Sequence, residues 1–190
     1  KYNNPNKGKL KAFQDIDIII SYIKQDENVM EMLEGEKEVI MTTEFLGVEW
    51  KFMIDVYNPE KGRIVDLKFI NDIHKNFWDS SKNGYVNFIQ YYLYHYQMVL
   101  YAILEQLVTG RDEMLEPYIV AISKDIPPAK VILNGFLNDV SEVVSDVSLR
   151  LPRILKVKNK EIEPRHCGKC DYCRSILKAE TMNYRELGFR

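Results

Sequence analysis

Three residues of this chain, Asp55, Asp66 and Lys68, have side chains and spacing suited to phosphodiester chemistry. Two carboxylates on neighbouring strands can hold a divalent cation through hard oxygen ligands. Lys68 points to the same face of its strand as Asp66, because side chains alternate along a strand with a period of two. Together they are what metal-assisted cleavage of a phosphodiester needs, although an Asp-x-Lys spacing also arises often by chance.

The composition is typical of a globular protein. The 190 residues are 46% apolar and 28% charged, which is enough for one ordinary domain with a real core. A formal net charge of −2 means that a nucleic-acid site must be a local basic patch. No apolar run reaches the ~20 residues of a membrane helix, and no stretch resembles a signal peptide.

Hydrophobic periodicity predicts a mixed α/β domain with a central sheet. We predict a helix over 10–33, two strands over 39–46 and 48–57 around a turn at Gly47, and a third strand over 63–69. We then predict a loop over 71–85, a helix over 86–108, strands over 117–123 and 130–133, and a helix over 136–156 that Pro152 kinks or divides. The three-strand meander brings Asp55 close to Asp66.

Four segments follow one another in an informative order. They are Gly47-Val48-Glu49-Trp50 leading to Ile54-Asp55, Ile64-Val65-Asp66-Leu67-Lys68, Gln97-Met98-Val99-Leu100-Tyr101, and the cysteine-containing ending from Glu163 to Arg174. This order resembles the PD-(D/E)XK nuclease superfamily in its RecB/RecE-like branch, and most of all a phage and prophage family labelled as PDDEXK-like exonucleases. The resemblance implies a restriction-endonuclease-like core over 1–158, a central mixed sheet flanked by helices, and a cysteine-containing segment over 159–190.

Asp55, Asp66 and the main-chain carbonyl of Leu67 form the predicted ligand set for Mg²⁺ or Mn²⁺. Lys68 would orient the attacking water and stabilise negative charge in the transition state. The resemblance implies that Gln97 and Tyr101, four residues apart on one helix face, line this site and contact DNA or position Lys68.

These residues also have ordinary structural explanations. Asp55 could pair with a nearby lysine or cap the turn that follows its strand, and Lys68 could be a surface lysine. The aromatic-rich helix around Tyr101 could serve mainly as core packing. Glu44 and Glu49 could assist at the site, but a solvated strand face explains them equally well.

Cys167, Cys170 and Cys173 lie within one seven-residue window, which favours metal ligation in a reducing compartment over a disulfide framework. Their spacing matches the first three ligands of a ferredoxin-type [4Fe–4S] run. In RecB-like relatives an upstream cysteine completes a cluster that holds the terminus to the core. Because neither that cysteine nor the relatives' Gly-x-x-x-His motif precedes Lys1, we expect this chain to be part of a longer protein. A Cys₃His zinc site with His166, or three free thiols, is the alternative.

The resemblance implies a metal-dependent deoxyribonuclease, an exonuclease that acts in phage or prophage recombination or repair in the cytoplasm of a bacterial host. The implied partners are DNA, a phage single-strand annealing protein and further copies of the chain, with no membrane. Two other classes stay open: a catalytically inactive nucleic-acid-binding or scaffold protein with the same fold, and a small redox or metal-sensing module. The loop after the third strand, with Phe77 and Trp78, is either a guide for a DNA strand or a solvated loop with two hydrophobic anchors.

Overall fold

The structure, a computed structural model of the chain, describes residues 11–168, 170–179 and 181–186. Its strands are β1 (Glu36–Phe45), β2 (Val48–Asn58), β3 (Arg63–Ile70), β4 (Phe77–Asp79), β5 (Gly84–Val86), β6 (Glu116–Ser123) and β7 (Lys130–Leu133). Its α-helices are α1 (Lys11–Lys24), α2 (Glu27–Met32), α3 (Phe88–Tyr91), α4 (Tyr94–Thr109), α5 (Val140–Lys158) and α6 (Asp171–Ile176). Short 3₁₀ turns span Pro59–Lys61, Phe136–Asp139 and Tyr184–Glu186. The start of the chain, up to residue 10, lies outside the described residues.

The central sheet has five strands in the order β1-β2-β3-β6-β7. β1, β2 and β3 form an antiparallel meander, β6 pairs with β3 in parallel, and β7 pairs antiparallel with β6. A parallel neighbour needs a crossover connection, and α4 lies in the connection between β3 and β6. The predicted class, a mixed sheet made of a three-strand meander and further strands between helices, is confirmed.

Helices cover both faces of the sheet. On one face, Ile19 of α1 packs in a buried cluster with Val65 and Val120. On the other face, Val99 of α4 packs in a second cluster with Ile119. Neighbouring residues of a strand point to opposite faces, so β6 contributes to both clusters. Asp66, the residue after Val65, therefore points towards the α4 face.

Two predicted helices are each divided once. The helix predicted over 10–33 ends before Asp26, whose Oδ1 accepts the backbone N–H of Val29 at 3.1 Å and caps α2. Aspartate favours this position because its short side chain satisfies a backbone donor that has no partner in the helix. The helix predicted over 86–108 is divided at Leu93, whose φ of 58° lies in the left-handed region.

A short hairpin occupies part of the segment predicted as a loop over 71–85. β4 and β5 pair antiparallel, with Phe77 opposite Val86 and Trp78 opposite Tyr85. Val86 is buried and Phe77 half-buried, whereas Trp78 and Tyr85 are exposed. Alternating exposure of this kind anchors the hairpin by one face and leaves two rings on the other.

The chain divides into two compact units, residues 1–147 and 148–190. The first unit contains the sheet, and the second contains the end of α5, α6 and the cysteines. Pro152 lies inside α5, which continues to Lys158. The predicted boundary after residue 158 stays a prediction. Among the helices that the structure describes, none combines the length and apolar character needed to cross a membrane.

Candidate active site

The candidate site lies where β2 and β3 separate. Their ladder pairs Val56 with Val65 and extends from there only towards the turn between the two strands. Asp55 comes directly before Val56, and Asp66 directly after Val65. Beyond this point β3 stays paired with β6 alone, up to its last residue. The two acids therefore flank the point at which the two strands separate.

Asp55 fills part of this opening with its own carboxylate. Its Oδ2 accepts the backbone N–H of Leu67 at 2.9 Å, which satisfies a donor on the side of β3 that β2 has left. This contact places the backbone of Leu67 beside Asp55 and next to Asp66 in the chain. The three predicted ligand residues are thus neighbours.

Asp66 is the buried member of the set, with only 3% of its surface exposed. Its Oδ1 accepts a hydrogen bond from Gln97 Nε2 at 2.9 Å, and its Oδ2 lies 2.7 Å from Lys68 Nζ. Within the described part of the chain, Oδ2 is buried without a hydrogen bond of good geometry, although the ion pair is close. A buried carboxylate oxygen with unused lone pairs fits a ligand for a divalent cation.

The local charges also favour a cation here. Burial raises the pKa of Asp66, because a carboxylate loses solvation there, and the negative charge of Asp55 raises it further. The ammonium of Lys68 and the amide of Gln97 act in the opposite direction, and burial outweighs them. A divalent ion between the two acids would offset both the burial cost and the mutual repulsion.

Gln97 on α4 links the acid to the lysine. Its Oε1 accepts a hydrogen bond from Lys68 Nζ at 3.0 Å, while its Nε2 donates to Asp66. The same Nε2 donates to the hydroxyl of Tyr101 at 3.0 Å, one helical turn further on. Tyr101 in turn packs against Phe52 of β2, with ring centroids 5.6 Å apart. One amide therefore fixes the relative positions of Asp66 and Lys68.

Tyr94 adjoins the candidate site, although the sequence alone does not distinguish it from the neighbouring tyrosines. Lys68 Nζ lies 4.4 Å from the centroid of its ring, a distance at which a cation is attracted to the aromatic face. The available signal was the spacing of Tyr94, Gln97 and Tyr101, which places all three on one side of a helix. Because several other tyrosines lie in the same segment, this spacing alone does not identify Tyr94 as a residue of the site.

Glu44 and Glu49 lie far from this site. They pair with each other across β1 and β2, next to the hairpin turn. Glu49 is six residues from Asp55 along β2, which corresponds to roughly 20 Å at the usual rise of a strand.

The three cysteines converge in the second unit. Their sulfur atoms all lie within 4.8 Å of one another. Cys170 caps α6, because its sulfur accepts the backbone N–H of Cys173 at 3.5 Å. His166 Nδ1 lies 3.9 Å from the sulfur of Cys173, whereas the group of mutually close ligand atoms among the described residues consists of the three cysteines. Lys169, between the first two cysteines, lies outside the described residues.

A mixed sheet whose meander opens onto two acids and a lysine defines the PD-(D/E)XK class of nuclease folds, in agreement with the resemblance seen in the sequence. The chain matches, over residues 1–176, the family described as "PDDEXK-like domain of unknown function (DUF3799)", and it belongs to that family.

A solved structure with high similarity supports the same class. It is a crystal structure named "Putative exonuclease" from Eubacterium rectale, 35% identical to this chain. The match covers 95% of this chain and 67% of that chain, with a TM-score of 0.83. The restriction-endonuclease-like fold inferred from the sequence is therefore confirmed.

The remaining similarities to known proteins are weak or absent. A second solved structure, named SSO0001, is 15% identical over 86% of this chain and 69% of that chain. Its TM-score of 0.35 is too low to carry an argument. No match was found among curated proteins.

Proposed function

We propose that this chain is a metal-dependent deoxyribonuclease that hydrolyses DNA phosphodiester bonds. Its family and its solved relative support a nuclease. The observation that carries the proposal is the hydrogen-bonded arrangement of Asp66, Lys68 and Gln97 beside Asp55, at the opening of the meander. Two acids and an ammonium lie together there, as the chemistry requires.

The carboxylates of Asp55 and Asp66 and the carbonyl of Leu67 would hold Mg²⁺ or Mn²⁺. When bound, the ion would polarise a phosphoryl oxygen and lower the pKa of a water molecule. The buried Oδ2 of Asp66 and the raised pKa of this acid support the assignment. Such hard oxygen donors suit magnesium or manganese better than they suit softer metals.

Lys68 acts beside the cation site. Its ammonium is held by the Oε1 of Gln97 and by the face of Tyr94, so it does not need to reorganise when negative charge develops on the phosphoryl oxygens. In this position it orients the attacking water and stabilises the transition state. Gln97 and Tyr101 position Lys68 and Asp66.

We assign exonuclease action in phage or prophage recombination or repair as the finer function. The name of the solved relative and the sequence resemblance support this assignment. DNA is then the substrate, the compartment is the cytoplasm of a bacterial host, and a single-strand annealing protein or further copies of the chain are the candidate partners.

The direct test is degradation of end-labelled linear DNA in the presence of Mg²⁺ or Mn²⁺. Asp66→Ala and Lys68→Ala should each lower the rate by about 10²-fold or more, because each removes a charge that stabilises the transition state. Asp112→Ala, which removes an exposed acid, is the matched control and should retain the rate. A wild-type protein that binds DNA without cutting it would instead favour a non-catalytic binding or scaffold protein.

We propose that Cys167, Cys170 and Cys173 hold a metal centre in the complete protein, a [4Fe–4S] cluster in first place and zinc in second. The convergence of three sulfurs supports either metal, and the proximity of His166 supports a Cys₃His zinc site. Anaerobic purification followed by iron, sulfide and zinc analysis separates the two. Equal metal content in wild type and Cys170→Ser would contradict both.

A further inference from the structure

An open groove lies beside the candidate site on the surface of the first unit, because Tyr94, which contacts Lys68, also lines the groove. Its volume is about 240 Å³, and its lining includes Phe69, Lys75, Phe77, Tyr92, Tyr94 and Lys124. We call it the aromatic groove. Enclosed small-molecule pockets usually measure roughly 300–1,000 Å³, so this groove suits a passing segment of a longer molecule better than a compact ligand.

Aromatic rings line the groove in series from Lys68 outwards. The first is Tyr94, under the Lys68 ammonium, and the second is Tyr92, stacked on Tyr94 with centroids 5.6 Å apart. The third is Phe77 of the hairpin, edge-on to Tyr92 at 5.5 Å. Tyr92 is 51% exposed, so much of its surface is available to a ligand.

The break between α3 and α4 creates this series. In a continuous helix, two residues that are two positions apart point to nearly opposite sides. The left-handed conformation of Leu93 turns Tyr92 and Tyr94 to the same side, where their planes lie within 29° of each other. Leu93 itself is 55% exposed, so burial of its own side chain does not account for the break.

Two lysines, Lys75 and Lys124, lie beside the aromatic rings of the groove. Lys75 Nζ lies 5.2 Å from the ring centroid of Phe77, and Lys124 Nζ lies 5.7 Å from that of Phe69. Among the described residues, neither lysine has a carboxylate within ion-pair distance. Asp72 also lines the groove, and its Oδ1 accepts the backbone N–H of His74 at 2.8 Å. Two ammonium groups thus remain available to anionic ligands.

We propose that the aromatic groove binds the unpaired bases of a single DNA strand whose backbone leads to Lys68 and the two acids. The proposal rests on the nuclease function proposed above. Aromatic rings can stack only on base faces that are free, and in a duplex both faces are covered by neighbouring bases. Lys75 and Lys124 neutralise the phosphates of the same strand. The groove thereby selects a single-stranded segment beside the bond to be cut.

The test measures binding in EDTA, so that no hydrolysis is required. The probe is a fluorescently labelled oligothymidylate, compared by anisotropy with a blunt duplex of the same length. Tyr92→Ala should weaken single-strand binding about ten-fold, because a base loses its stacking partner. Tyr92→Phe keeps the ring and should stay within about two-fold of wild type. Lys124→Ala should weaken binding by about three-fold or more through a lost phosphate contact.

Two controls lie on α1, which packs on the opposite face of the sheet. Tyr22→Ala removes an exposed tyrosine and Lys24→Ala an exposed lysine, and both should bind the oligothymidylate like wild type. Duplex binding should change less than two-fold in Tyr92→Ala. Because Tyr92 is half exposed, its loss is not expected to unfold the protein, and circular dichroism checks this.

The groove and the nuclease can fail separately. If the wild type cuts DNA in Mg²⁺ but Tyr92→Ala and Lys124→Ala bind the oligothymidylate as tightly as wild type, the proposal for the aromatic groove is wrong and the proposed nuclease function is unaffected. If single-strand binding depends on Tyr92 but no DNA is cut, the proposed nuclease function is wrong and the aromatic groove is still a binding site for single strands. Equal losses of single-strand and duplex binding in Tyr92→Ala would also overturn the proposal.

Discussion

At the scale of single residues, the site depends on one amide. Gln97 donates to Asp66, accepts from Lys68 and contacts Tyr101, so it fixes the distance between the acid and the ammonium. None of these contacts requires substrate. The groups are therefore held in place without a bound ligand, and a preorganised site of this kind avoids the cost of reorganisation during the reaction.

If Gln97 positions Lys68 and Asp66, as its hydrogen bonds to both indicate, Gln97→Ala should lower kcat for DNA degradation by roughly 10–100-fold and leave KM nearly unchanged. Tyr101→Phe should lower kcat less, since Gln97 keeps its hydrogen bonds with Lys68 and Asp66. Gln90→Ala, an exposed glutamine on α3, serves as the control. A rise in KM at constant kcat would show that Gln97 contacts the substrate directly.

Binding of Mg²⁺ to Asp55 and Asp66 should stabilise the folded protein. At a concentration about 100 times the dissociation constant, linkage predicts a gain of about 2.7 kcal/mol, or roughly 5–10 °C in Tm for a chain of this size. Asp66→Ala should lose this shift. Cys167→Ser should keep it, because thiols bind magnesium poorly. Differential scanning calorimetry with and without Mg²⁺ measures both, and an equal shift in Asp66→Ala would place the cation elsewhere.

At the scale of elements, a polar side chain stabilises a helix end at a point where hydrophobic periodicity predicts one continuous helix. Asp26 caps α2 and also lies 2.6 Å from Lys130 Nζ, at the first residue of β7. The ion pair with Lys130 and the bond from the N–H of Val29 hold the pKa of Asp26 below its ordinary value. One carboxylate thus caps the start of α2 and links α2 to the sheet.

Asp26→Ala should lower the free energy of unfolding at pH 7 by about 1–2 kcal/mol, through the lost cap and ion pair. Asp26→Asn keeps the cap and should cost less. Because the pKa of Asp26 is lower in the folded state, its contribution is present above the unfolded value of about 3.9 and is lost as pH falls below it. Urea denaturation at pH 7 and pH 3 tests this, and a pH-independent difference would contradict the assignment.

At the scale of the whole molecule, net charge gives little help in binding DNA. The formal charge is −2, so the proposed attraction of DNA would come from local groups such as Lys68, Lys75 and Lys124. A protein with few phosphate contacts loses affinity slowly as salt rises, because few counterions are released.

The slope of log K against log salt for a single strand should be about −2, corresponding to about three neutralised phosphates. Lys124→Ala should reduce its magnitude by about 0.7. Lys24→Ala should leave the slope unchanged. Fluorescence titrations between low and moderate salt provide the slopes, and a value near −5 for wild type would indicate a broad basic surface in place of the groove.

The sequence by itself determined the meander, the central mixed sheet and the positions of the candidate ligands. Alternating apolar residues defined β2 and β3, and Asp55, Asp66 and Lys68 could be assigned to them directly. The helical spacing of Gln97 and Tyr101 placed both on one face of α4. These features are local, because a strand or helix fixes the directions of nearby side chains whatever surrounds it.

Only the tertiary structure decided how these elements meet. The separation of β2 from β3 at Asp55 and the approach of Tyr94 to Lys68 depend on contacts between residues distant in sequence. Leu93 carries no turn-forming side chain, so its left-handed conformation has no local signal. Packing between elements can outweigh a local preference of about 1 kcal/mol, and periodicity records only the preference.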